Sequence, residues 1–203
     1  MASITRRRAV SRPASAEAEI LAATRRILTE GASFTDLGVQ QISTAAGVAR
    51  STFYAHFRDK TDLLLRLATE MLSTSFDVAS SWEPTEGVDK AAEDFLRILG
   101  IYREHAGVLR AIGEVATYDQ TVRDFWSQGL ARFTERTIEA LRVEQAAGRT
   151  PADIDLVSAA RVIVVGGERA IFDHITSAPP ADDATFAREL ARTWWYGVYR
   201  RPA

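Results

Sequence analysis

The sequence predicts an all-α protein of about nine helices. Apolar residues recur at spacings of three and four along most of the chain, no stretch alternates apolar with polar residues or offers a hairpin turn, and no segment repeats at a fixed period. Gly and Pro fall where helices of ordinary length should end.

Residues 1–14 mix Arg6, Arg7, Arg8 and Arg12 with Ser and Pro13 without periodicity, and are read as a flexible basic arm. Ser15 then suits a helix N-cap. Glu17 and Glu19 complement the positive end of the dipole, Ile20, Leu21, Ile27 and Leu28 form an apolar face, and Gly31 stops the helix. Two short helical patterns separated by Gly47 occupy residues 39–57, and a longer one runs from Asp59 to about Ser80 before Pro84 and Gly87. Further helices are expected over Val88–Glu104, Val122–Ala146, Asp153 to about Ile175, and Asp183–Tyr199, broken by Gly148, Pro151, Pro179 and Pro180. The domains drawn from this pattern are 15–60 and 61–203.

Composition sets limits on function. The 203 residues are 46% hydrophobic and 26% charged, enough for a sizeable core, and the formal net charge of -2 means that any contact with nucleic acid is local. With no cysteine, a disulfide framework, thiolate zinc site or thiol catalysis is excluded, and no apolar run reaches the length of a membrane span. A cytoplasmic protein without cofactor, metal or membrane partner is expected.

The most informative stretch is residues 34–57. Two helices of about two turns flank Gly47, where a residue without Cβ can take positive φ and turn the second helix away steeply, as in a helix-turn-helix. Val39, Ile42, Ala46, Val48, Phe53 and Phe57 can point inward. Arg50, Ser51, Thr52, Tyr54 and His56 remain on the second helix, a polar set suited to the major groove of DNA.

Ile42, Ala46, Gly47, Val48, Thr52, Tyr54, His56, Phe57, Lys60, Leu63 and Leu64 together resemble the signature of the TetR family of repressors. Ser43, Ala49, Ser51 and Gly38 depart from its usual residues. The resemblance implies phosphate contacts for Tyr54, His56 and Lys60, with Arg50, Ser51 and Thr52 nearest the bases, and a homodimer on operator DNA. The arm arginines either track phosphates or enter a minor groove, as flexible arms do, or form a solvated tail.

Phe95, Tyr102, Phe125, Trp126, Phe133, Phe172, Trp194 and Trp195 concentrate in the second domain, beyond what a core alone demands. This arrangement resembles the actinobacterial branch of the family that has long, aromatic-lined ligand tunnels. Carried over by position, the lining is Ile98, Tyr102, Leu130, Phe133, Thr137, Val164, Gly167 and Trp194, and the expected effector is an elongated, apolar, mostly uncharged small molecule, with Tyr102 and Thr137 as the polar handles. Val162–Phe172 is apolar around most of its circumference, and the resemblance assigns it, with the last helix, to a two-fold dimer interface.

An enzyme is the main competing class. His56, His105 and His174 are far apart in sequence, and neither a metal-spaced cluster nor a phosphate loop appears. Glu104–His105 and Asp173–His174 are adjacent on helices, do not face one another, and are read as helix-end surface residues. A DNA-binding regulator without a ligand is the second alternative, separable only by the C-terminal cavity.

Overall fold

A computed structural model describes residues 15–199, so the arm at 1–14 lies outside the described residues. The order is α1 (Ala16–Thr29), α2 (Val39–Ala45), α3 (Arg50–His56), α4 (Lys60–Ser81), α5 (Val88–Glu104), α6 (Ala106–Ala116), α7 (Gln120–Ala146), α8 (Leu156–Ser177) and α9 (Asp183–Trp194). A single π turn, Trp195–Tyr199, continues α9, and among the described residues there is no strand.

The expected helix ends have physical causes. The Ser15 hydroxyl accepts from the Ala18 amide at 3.2 Å, Asp59 caps α4 through the Asp62 amide at 2.8 Å, and Asp155 caps α8 through the Ser158 amide at 2.8 Å. Gly47 has φ +67°, a conformation that side-chain-bearing residues rarely adopt, and it turns the chain between α2 and α3. At α2 the N-cap is Gly38, which has no side chain to offer; Gln41 reaches back to the Gly38 amide at 2.7 Å instead.

One helix was not anticipated. α6 carries Val108, Leu109, Ala111, Ile112 and Val115 inward, a helical spacing that signals it, although the half-buried His105 is all that separates it from α5. Val108, Ala111, Ile112 and Val115 join Ile20, Leu28, Phe34, Ile42, Phe53 and Phe57 in one hydrophobic cluster, while Leu109 packs on the other side with α5 and α9. The boundary drawn at residue 60 is therefore not a break in the core, since α6 and the start of α4 complete the core beneath α1–α3.

α4 links two regions. Leu63, Leu64 and Leu67 belong to the cluster under the helix-turn-helix, while Met71, Leu72 and Val78 pack in a second cluster with α5, α8 and α9. Twenty-two residues at about 1.5 Å each give the helix a span of roughly 33 Å.

Candidate DNA-binding helix and ligand cavity

α3 is anchored by Phe53 and Phe57, both buried, with ring centroids 5.5 Å apart. With that side fixed, Arg50, Ser51, Tyr54 and His56 are exposed and Thr52 is half-buried. The Arg50 guanidinium lies 5.6 Å over the Tyr54 ring and donates to its hydroxyl at 3.3 Å, so two of the candidate DNA ligands, one turn apart, already hold each other. The anchored helix thus leaves four of the six candidate residues exposed and a fifth, Thr52, half-buried.

Lys60 is placed differently from the expectation. Its ammonium donates to the carbonyls of Phe34 (3.0 Å), Thr35 (2.7 Å) and Leu37 (3.3 Å), and it lies 5.2 Å from the centre of the Phe34 ring. An ammonium has three donors, and all three are engaged within the protein. The lysine positions the loop before α2 rather than reaching outward. On the other side of the same loop, Glu114 of α6 accepts from the Ser33 hydroxyl (2.9 Å) and from the Phe34 (3.2 Å) and Thr35 (2.9 Å) amides. Burial opposes ionisation of Glu114, but the hydrogen bonds from Thr35, Ser33 and Phe34 outweigh it and hold the carboxyl below its ordinary value. The loop is gripped through its carbonyls by a cation and through its amides by an anion.

Lys60→Met keeps the stem and removes those donors. It is expected to lower stability by about 1–3 kcal/mol and to weaken DNA binding with no change in the salt dependence of affinity. A salt slope lowered by about 0.9, measured by titration at several salt concentrations, would instead put the ammonium on a phosphate.

The C-terminal residues singled out above converge. Ile98, Tyr102, Leu130, Phe133, Thr137, Val164, Gly167 and Trp194 all line one cavity of about 90 Å³ between α4, α5, α7, α8 and α9. Gly167 faces the Trp194 indole, and a Cβ on it would lie in ordinary contact with that ring at 3.5 Å. Edge-to-face pairs shape the walls: Phe95–Trp194 at 5.0 Å, Phe76–Phe133 at 5.2 Å and Trp82–Tyr199 at 5.7 Å. Burial raises the Tyr102 phenol well above its ordinary value, with the nearby Glu168 adding to the effect, so it stays protonated and can donate.

Two features depart from the sequence reading. The space is a short cavity rather than a continuous tunnel; a separate space of about 50 Å³ adjoins it across Trp82, Phe95, Ile98 and Trp194. It also has more polar groups than Tyr102 and Thr137, for Arg136 and Glu168 line it too. Arg136 donates to the Glu83 carboxylate at 2.6 Å and to the Trp82 carbonyl at 3.4 Å. Burial pushes the Glu168 carboxyl up, against a hydrogen bond from Trp126 and the attraction of Arg169. The signal for Glu168 was its charge inside the otherwise apolar run Val162–Phe172.

His174 is a further correction. It is not a surface residue: its side chain is 10% exposed, stacks on Phe186 at 4.1 Å, and meets the Asp183 carboxylate at 2.9 Å. Arg103 grips the same carboxylate through two donors, at 2.7 and 2.6 Å, and also donates to the carbonyls of Ile175 and Ala178. The cluster ties α5 to the end of α8 and the start of α9. With both carboxylate oxygens taken, it is built as a clamp and not as an acid–base pair.

Residues 20–67 match the family model for bacterial regulatory proteins of the tetR family, and residues 94–200 match that for the C-terminal domain of the transcriptional regulator EthR. The chain belongs to the TetR family. This TetR-family chain, a DNA-binding transcriptional regulator, is 26% identical over 191 residues to the EthR regulator of Mycolicibacterium smegmatis, covering 90% of itself and 86% of the relative. It is 24% identical to EthR of Mycobacterium tuberculosis, over 98% and 94% of the two chains. Among solved structures, Salmonella enterica GusR shares the fold with a TM-score of 0.75 at 20% identity, over 94% of this chain and 98% of that one. No helix among the described residues is long and apolar enough to cross a membrane.

Proposed function

We propose that this TetR-family regulator is a ligand-responsive repressor, a homodimer that reads operator DNA through α3 and is released when a largely apolar small molecule occupies the C-terminal cavity. The observation that carries the reading is connectivity: α4 forms a wall of the aromatic cavity at Phe76 and Ala79 and also packs Leu63, Leu64 and Leu67 beneath the helix-turn-helix.

Size makes the cavity responsive. An apolar cavity of about 150 Å³ binds a molecule the size of benzene, so 90 Å³ is too small for an elongated molecule without displacement of a wall. A molecule that binds only the enlarged form draws the protein toward it. The coupling required is modest, since a tenfold loss of DNA affinity needs about 1.4 kcal/mol.

The dimer reading is supported by α8. Val157, Val162 and Val165 are 52%, 71% and 50% exposed, and Gly166 has open space around it, so three valines of this helix, set among the exposed Arg161 and Arg169, have no cover within the chain. Close approach of a second copy would offset the helix propensity that the glycine forfeits.

Gly167→Leu tests the cavity. Filling the space beside Trp194 is expected to abolish the ligand response while operator affinity, measured by titration of labelled DNA, stays within about threefold of wild type. A variant that still releases DNA at the wild-type ligand concentration would place the effector elsewhere.

A further inference from the structure

The cavity meets a broad open groove of about 630 Å³, walled by α6, α7 and α8, at two side chains that line both: Leu130 and Glu168. Glu168 therefore stands between a groove that is open in the single chain and an aromatic interior. Only two of the cavity-lining side chains carry formal charge, and the other, Arg136, is already paired with Glu83. Arg169 attracts Glu168 but lines the groove rather than the cavity, with its guanidinium 5.7 Å from the Phe172 ring. On the inner side, the rings of Tyr102, Phe133 and Trp194 surround the space that Glu168 borders. A carboxylate in that setting has lost water on the cavity side without a cation there to replace it.

Resting on the reading of the cavity as a ligand site, we propose that its ligand carries a protonated amine, held by Glu168 at the groove end, with the apolar body directed inward toward Trp194. An ammonium donates charge-assisted hydrogen bonds to a carboxylate, and its adjoining carbons carry partial positive charge that aromatic faces attract. The apolar body has a defined course. Trp194, Phe95 and Ile98 line both the cavity and the smaller adjoining space, so displacing Trp194 would join the two and lengthen the site. An anionic head at the same position would face the carboxylate. Arg123, Arg161 and Arg169 on the groove define the competing outcome, in which such a head is drawn outward to them.

Three probes of one length and different heads decide the matter: n-octylammonium, n-octanol and n-octanoate, titrated into the full chain at neutral pH and fixed ionic strength, with binding read by calorimetry. Octylammonium is expected to bind at least about tenfold more tightly than octanol, and octanoate most weakly. In Glu168→Gln the ammonium and the alcohol should bind within about threefold of each other, with octanol affinity unchanged. An ammonium no tighter than octanol, a preference that survives Glu168→Gln, or octanoate as the tightest probe overturns the amine assignment while leaving the cavity as a ligand site. If Glu168→Gln does not fold, the wild-type ranking decides alone. Failure of all three probes to bind would overturn the ligand reading itself along with the amine.

Discussion

Asp183→Ala is expected to lower stability by about 3–5 kcal/mol, because it leaves the Arg103 guanidinium in a site with little water and no counter-charge. The side chains of the pair are 19% and 11% exposed, and Arg103 keeps its bonds to the Ile175 and Ala178 carbonyls, which places the loss toward the lower figure. For a chain of this length the shift in Tm is roughly 2–4 °C per kcal/mol. Replacing both partners, Arg103→Met with Asp183→Leu, should recover much of the loss, since an apolar pair of similar volume removes the buried charge as well as the bond. The dependence on pH has a defined sign. Arg103 foremost holds the Asp183 carboxyl below its ordinary value of 3.8, burial opposes this, and His174 adds to the lowering. The folded state thus binds the proton less readily than the unfolded chain. The clamp contributes fully above 3.8 and its contribution is lost as the pH falls through the lowered value, so the difference between wild type and Asp183→Ala should narrow in acid. Thermal unfolding at neutral and acid pH measures both effects, and an Asp183→Ala variant within about 1 kcal/mol of wild type at neutral pH would show that the cluster is not a clamp.

Gly107→Ala should cost about 1–3 kcal/mol or more, although the change is a single methyl group. The added Cβ would sit 2.5 Å from the carbonyl carbon and oxygen of Leu28 and 2.8 Å from the Thr29 amide nitrogen, all backbone atoms that cannot rotate away. α6 would have to lift from α1, stretching the 3.0 Å bond that Arg110 donates to the Leu28 carbonyl. Operator affinity should fall with stability, since this contact seats the reading head. Gly113 on the same helix provides the control: its nearest neighbour for a Cβ is the Phe172 ring at 4.0 Å, so Gly113→Ala should be neutral or stabilise by up to about 1 kcal/mol. Equal unfolding temperatures for the two variants would show that the close approach is not what limits position 107.

These effects mark what a sequence shows and what it hides. The helices bounded by Ser15, Asp59, Gly31 and Gly47 were legible because a cap or a turn glycine acts within a few residues. The eight positions carried over from the family resemblance all line one cavity, because a shared fold sets which face of α5, α7, α8 and α9 looks inward. The roles of Lys60, Glu114 and Arg103 were not legible, since their partners lie about 25 to 80 positions away in sequence, and the nearer His174–Asp183 contact crosses from one helix to the next. A lysine on a helix's first turn looks the same whether it faces a phosphate or a carbonyl. Charge in an apolar run was readable at Glu168, but the cavity it borders depends on how four other helices close around it.

The grip of Lys60 and Glu114 on residues 33–37 bears on modularity. Regulators of this architecture invite the exchange of reading heads between chains by a cut after the recognition helix, yet here the surface that receives the head is discontinuous. It includes Gly107, Arg110, Glu114 and Tyr118, whose hydroxyl lies 3.0 Å from that of Thr35. A foreign head joined at residue 60 would meet a carboxylate awaiting specific amides and a helix too close for any residue but glycine. The part that would have to move with the head is discontinuous, since the core beneath it draws on α6 and on Val122 of α7 as well as on α1 to α4.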